Sequence, residues 1–114
     1  MAQHYKDLIA WQKAMDLVVE IYATTEQFPS REKFSLTDQI RRAAVSVPSN
    51  IAKAHYSHRE FLHFLRHSRG SLAELETQIL IAERVKYIQA AEAEALLKRI
   101  DELGRILSGL IRSL

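Results

Sequence analysis

The 114-residue chain is 47% hydrophobic, with three Gly and two Pro, which fits one folded domain with its own core and excludes a disordered segment. It has no cysteine, so disulfides, thiolate metal ligands and thiol nucleophiles are excluded together. The net charge of +2 hides an uneven spread: Arg41 to Arg69 holds six basic residues against one acid, Glu60, while the rest carries ten basic against thirteen acidic side chains.

Four amphipathic segments of helical period account for nearly all of the sequence and predict an all-α, up-down antiparallel four-helix bundle in a single domain over residues 1–114. In the first, residues 6–28, Trp11, Met15, Val18, Tyr22 and Thr25 recur at spacings of three and four and form the expected core stripe. Lys13, Asp16 and Glu20 face away. Phe28-Pro29-Ser30 ends this helix, because a residue before proline is pushed out of the helical region. The second opens at Ser35, an expected cap, and turns Leu36, Ile40, Ala43, Val47, Ile51 and Ala54 inward. Pro48 falls inside it. The lost backbone bond and the crowding at the Ala44 carbonyl predict one helix kinked there, since Val47 is too poor a cap to start a new one.

Ser57-His58-Arg59-Glu60 reads as a capping box that starts the third helix, which runs to about residue 85. Its seam, Phe61, Leu65, Ser68, Leu72, Leu75, Ile79 and Ala82, alternates by four and three, and Gly70 beside Ser68 and Ser71 predicts a close helix crossing. The fourth, from about residue 90, carries Ala93, Leu96, Leu97, Ile100, Leu103, Leu107, Leu110 and Ile111 inward. Glu94 with Lys98 and Asp101 with Arg105 have the spacing of helical ion pairs.

Nothing in the pattern argues for catalysis: no glycine-flanked serine and no serine, histidine and acid set is evident, so no catalytic residue and no cofactor is assigned. Glu60 and His63 have the Glu-x-x-His spacing of di-iron bundles, but the pair occurs once and Glu60 is expected to cap a helix, so no metal site is assigned. His63 with His67, one turn apart, and His55 with His58 could approach a zinc ion, but no acid is placed with them; solvated histidines are the simpler reading.

Helical geometry puts Arg59, His63 and Arg66 opposite the third helix's core seam. With Arg69, and with Arg41, Arg42 and Lys53 on the preceding helix, they are candidate phosphate contacts, and His55 and Tyr56 are candidates to stack on an unpaired base. A merely solvated basic face is the plainer account. Ile9, Leu62, Ala73, Leu80 and Ile81 lie off the core stripes and are the candidate oligomer interface. Residues 1–7 lack the charged-then-apolar pattern of a leader, and no apolar run reaches the roughly 18 residues of a membrane span, so the expected location is cytoplasmic with no membrane partner.

Tyr5-Lys6-Asp7-Leu8, Trp11-Gln12-Lys13-Ala14-Met15, the run from Leu36 to Ala52 and Arg69-Gly70-Ser71-Leu72-Ala73-Glu74-Leu75-Glu76-Thr77-Gln78 together resemble the bacterial four-helix-bundle family named after the 23S ribosomal RNA intervening-sequence protein. The resemblance implies an up-down bundle that assembles as a homo-oligomer, usually a five-membered ring. It extends to the accessory variability protein of diversity-generating retroelements, which binds a reverse transcriptase and nucleic acid through a positively charged ring. Where the family usually continues with Glu-Gly after Asn50-Ile51-Ala52, this chain has Lys53-Ala54. The expectation is therefore a non-enzymatic homo-oligomer, expected to be pentameric, that binds structured RNA or another nucleic acid through its basic face. The alternative is a protein-protein adaptor with no nucleic-acid contact, and a metal-dependent enzyme is a distant third.

Overall fold

The computed structural model describes residues 4–113; Met1–Gln3 of the N-terminal stretch and Leu114 lie outside the described residues. Four helices follow a short 3-10 turn at Tyr5–Asp7: α1, Ile9–Thr25; α2, Leu36–Tyr56; α3, Phe61–Arg84; and α4, Ala90–Arg112. Each packs on its two neighbours around the ring, α1 on α2 and α4, α3 on α2 and α4, and the diagonal pairs do not meet. This is the antiparallel bundle expected from four similar helices and short connections. Its long dimension is 46 Å. One end gathers the start of α1, the end of α2, the start of α3 and the end of α4.

The core stripes of α2, α3 and α4 fall where the sequence periodicity puts them: Ile40, Val47, Ile51, Leu65, Leu75, Ile79, Leu103 and Leu107 are all fully buried. That of α1 does so only at Thr25. Ala10, Ala14, Leu17, Ile21 and Thr25 point inward, whereas Trp11 and Val18 are half-buried and Met15 and Tyr22 are exposed. Two apolar stripes run side by side on α1, about 100° apart. The small Ala10 and Ala14 fit between neighbouring helices, and the larger side chains line the groove beside α2.

Pro48 lies buried inside a single continuous α2, as expected from its weak alternative cap. The backbone around it is dressed by short side chains. Ser49 Oγ donates to the Val45 carbonyl at 2.8 Å, Asn50 Nδ2 to the Ser46 carbonyl at 2.8 Å, and Ser68 Oγ reaches across from α3 to the Val47 carbonyl at 2.8 Å. Ser46 and Ser71 hydroxyls meet at 2.8 Å, so α2 and α3 are stitched by small polar groups at their closest approach.

Four local expectations are corrected. No capping box forms at Ser57: a 3-10 turn, His58–Glu60, intervenes, and the Glu60 amide donates to the Ser57 carbonyl at 3.1 Å. The tight reversal out of α2 uses backbone where the sequence offers a hydroxyl. Ser35 does not cap α2 with its side chain either; the Leu36 amide is met by Glu32 Oε1 at 3.3 Å. Gly70 takes no part in the contact its neighbours Ser68 and Ser71 make with α2, since it is exposed and a Cβ there would meet nothing within 4 Å. Of the two expected α4 pairs, Asp101 and Arg105 close to 3.1 Å, while Glu94 and Lys98 form no ion pair.

α3 ends in a Schellman motif, with the Tyr87 amide on the Ala82 carbonyl at 2.9 Å and the Lys86 amide on that of Glu83 at 3.0 Å. Lys86 takes the left-handed position, φ 68°, usually given to glycine. Tyr87 then donates its hydroxyl to Glu32 Oε2 at 2.6 Å, tying the α3–α4 turn to the α1–α2 turn. That hydrogen bond, joined by the Leu36 amide, holds the Glu32 carboxyl below the ordinary carboxylate value. Lys13 does the same to Glu102 across the α1–α4 seam, at 2.7 Å.

Candidate nucleic-acid interface

The nine candidate residues do not form one surface. Arg41 is spent inside the molecule: its Nε donates to Thr25 Oγ1 at 2.8 Å, and its Nη2 to the Tyr22 carbonyl and Glu26 Oε2, both at 3.3 Å. The guanidinium also lies over the Tyr22 ring, 4.5 Å from its centroid, and the side chain is 27% exposed. It clamps α2 to the last turn of α1. Arg42 is exposed but paired with Asp38 on its own helix at 2.8 Å.

Lys53, His55, Tyr56, Arg59, His63 and Arg66 lie toward the end where α2 reverses into α3, and Lys53 also borders the α2 groove that holds Arg41 and Arg42. Over residues 53–73 the only acid is Glu60. Arg59, His63 and Arg66 are exposed, and neither arginine is in an ion pair among the described residues. The Lys53 ammonium stands 5.9 Å from the Phe64 ring centroid, at the α2–α3 seam. His63 and His67 touch ring to ring, centroids 5.5 Å apart. Among the described residues no three His, Asp or Glu side chains gather around one point as metal ligands would.

Arg69 points the other way, toward α4, where Nη1 reaches Ser108 Oγ at 3.4 Å. There it shares a groove with Arg105, Arg112 and the paired Asp101, floored by Gly104 and Leu72. The sequence reading missed Arg105 and Arg112 as neighbours of Arg69, because nothing local says which stripe of α4 faces α3.

It also missed the N-terminal turn. The Gln12 side chain donates to the Lys6 carbonyl at 2.9 Å and folds residues 4–7 back against the end of α2. Tyr5 becomes the hub of a ring cluster, with centroids 4.5 Å from His4, 5.5 Å from Trp11, 6.0 Å from His55 and 5.9 Å from Tyr56. The up-down topology thus gathers all five histidines of the chain at one end.

The candidate oligomer residues divide in the same way. Ile9 is exposed beside Leu110 at the basic end, Leu62 is half-buried there, and Ala73 lines the α3–α4 groove. Leu80 and Ile81 are exposed near the opposite end. Of three exposed apolar residues absent from the expected set, Val19 at 66% lies in the middle of α1, while Phe34 at 89% and Val85 share that opposite end with them, beside the exposed Arg31, Lys33, Arg84 and Lys86.

Fold and charge define a small all-α bundle protein with a basic cluster where α2 reverses into α3, in which no helix of the described residues is long and apolar enough to cross a membrane. The chain belongs to the 23S rRNA-intervening sequence protein family, whose profile matches residues 6–109. A crystal structure of a protein of unknown function from the S23 ribosomal protein family of Bacteroides thetaiotaomicron superposes with a TM-score of 0.83 at 21% identity, covering 91% of this chain and 96% of that one. That likeness shows the shared fold. No curated protein matches the sequence.

Proposed function

We propose that this chain is a non-enzymatic, self-associating bundle protein that binds RNA or another nucleic acid through the basic end formed by Lys53, His55, Tyr56, Arg59, His63 and Arg66. The observation that carries the reading is the pairing pattern. Arg41, Arg42 and Arg105 are already matched with acids, whereas Arg59 and Arg66 are in no ion pair among the described residues; Glu60 is the one acid over residues 53–73, and Glu74 borders the groove that Arg66 shares with His63. Unmatched guanidiniums on a rigid end are suited to phosphate oxygens. Self-association is supported by the exposed apolar residues Phe34, Leu80, Ile81 and Val85 toward the other end. A five-membered ring is the assembly the family resemblance favours.

The test is fluorescence anisotropy of a labelled RNA across a salt series. Losing the two contacts in Arg59→Ala/Arg66→Ala flattens the log–log salt slope by about 1.4 to 1.8 while helicity is kept. Lys98→Ala/Arg99→Ala, on exposed positions of α4, leaves it unchanged. No binding by the unaltered protein at low salt, or equal binding by all three, defeats the reading and favours the adaptor.

A further inference from the structure

A hollow of about 320 Å³ opens between α1 and α2 at the basic end, walled by Tyr5, Trp11, Met15, Pro48 and Ala52, with Ser49 as its hydroxyl. Resting on the nucleic-acid reading above, we propose that it is a slot for an unpaired base, making the ligand single-stranded. Three observations point there.

The first is shape and chemistry. The volume lies at the small end of the roughly 300–1,000 Å³ of small-ligand sites, and its lining is aromatic and aliphatic. Tyr56, one turn beyond Ala52 and 74% exposed, does not line the hollow but meets its wall residue Tyr5 at a steep 65°. Tyr5 meets Trp11 and His55 edge to face at 68°, while His4 lies tilted at 31° on Tyr5 with centroids 4.5 Å apart. The exposed ring of Tyr56 is the flat surface left for a base to cover.

The second is charge. His4 and His55 lie against the lining residue Tyr5, ring centroids 4.5 and 6.0 Å away, and Lys6 and Lys53 each follow a lining residue, Tyr5 and Ala52, in the chain, with Asp7 as the neighbouring acid. A strand threading a base into the slot brings its phosphates toward those two lysines. A duplex cannot, because its bases are stacked and paired.

The third is what the slot lacks. Ser49 Oγ already donates to the Val45 carbonyl, leaving no free side-chain donor among the lining residues except the Tyr5 hydroxyl and the Trp11 indole. Recognition by stacking with little hydrogen-bond readout is tolerant of base identity. The competing occupant is an apolar side chain of a second copy, for which Phe34 is the candidate.

Trp11 is the only tryptophan, so its emission reports the slot directly. The probes are a short oligo(dT), an abasic strand with the same number of phosphates, and a duplex of equal length, titrated at low salt. The expected result is quenching of Trp11 by oligo(dT) alone, with affinity about five- to a hundredfold above the abasic strand. Tyr56→Ala and Met15→Glu bring oligo(dT) down toward the abasic value, while Tyr56→Phe retains the preference. Equal affinity for oligo(dT) and the abasic strand with an intact salt slope overturns the slot and leaves the phosphate reading standing. Absence of binding by every probe overturns both. A Trp11 emission that shifts with protein concentration alone, and stops doing so in Phe34→Ala, assigns the slot to a second copy.

Discussion

Arg41 separates the fold from the proposed function, because the sequence offers it as a phosphate contact and the structure spends it as a clamp. Arg41→Ala removes the 2.8 Å bond from Nε to Thr25, two 3.3 Å contacts from Nη2 and the guanidinium over Tyr22. Thr25 keeps its own bond to the Ile21 carbonyl at 2.7 Å, and the Tyr22 carbonyl keeps the Glu26 amide at 3.2 Å. No buried partner is stranded, so the loss is the net value of the contacts without an added desolvation penalty. A hydrogen bond from a charged group contributes about 1.5–3 kcal/mol, and partial exposure sets this one toward the lower figure. The exposed Glu26 pair adds at most about 0.5 kcal/mol, and the contact with Tyr22 about 0.5–1 kcal/mol. The sum is about 2–3 kcal/mol, or a melting temperature lower by about 8–12 °C for a domain of this size. Arg41→Lys keeps the charge but not the planar fork and falls between. Circular dichroism melts measure this, with urea unfolding to check that the m-value is unchanged. RNA affinity of the folded variant stays within about twofold of the unaltered protein, well under one pair of phosphate contacts. A melt within about 2 °C of the original, or an affinity loss matching Arg59→Ala/Arg66→Ala, refutes the clamp.

Two further outcomes follow from the turns at the opposite end. Because the Glu32 carboxyl sits below its ordinary value in the folded state, its contribution is present above the ordinary carboxylate range and is lost as pH falls through the lowered value. Tyr87→Phe removes the largest cause, so its urea midpoint falls less steeply than the original's between neutral and acid pH; parallel curves contradict the assignment. At Lys86, φ 68° costs a non-glycine residue about 1–2 kcal/mol, against about 0.4–1 kcal/mol of added chain entropy for glycine. Lys86→Gly therefore raises the urea-derived stability by about 0.5–1 kcal/mol; a loss of stability argues that the lysine conformation is not strained.

Strict period made most of the bundle legible. The α3 seam from Leu65 to Ala82 and the α2 stripe from Ile40 to Ala54 have one apolar face each, and a single face leaves no choice of which side is buried. α1 has two adjacent apolar stripes, and hydrophobicity favours Trp11, Met15, Val18 and Tyr22. Packing favoured the other, because alanine at positions 10 and 14 admits a neighbouring backbone that tryptophan would exclude. Ser57 and Gly70 misled for a related reason: each is a local signal whose outcome is set by a tertiary path, here the 3-10 reversal after Tyr56 and the free face of α3. The candidate site was legible as charge and not as geometry. Residues 53–66 announce a basic stretch by composition, but the joining of Tyr5 to Tyr56 spans half the chain and has no local signature.

The separation of the two ends bears on how assembly and binding coexist. Phe34, Leu80 and Ile81 lie toward one end of a body 46 Å long, and Arg59 and His63 toward the other. That length is several times the roughly 8 Å over which salt screens charge under physiological conditions. Contacts that the proposed assembly makes at the Leu80 and Ile81 end therefore lie beyond the screened reach of Arg59 and His63 of the same copy. In the proposed assembly the basic ends recur on each copy, so a strand long enough to reach two of them meets the second at a high effective concentration. Each site can then be weak, as stacking on a few rings and two or three phosphate contacts would make it, while the assembled protein holds its strand firmly.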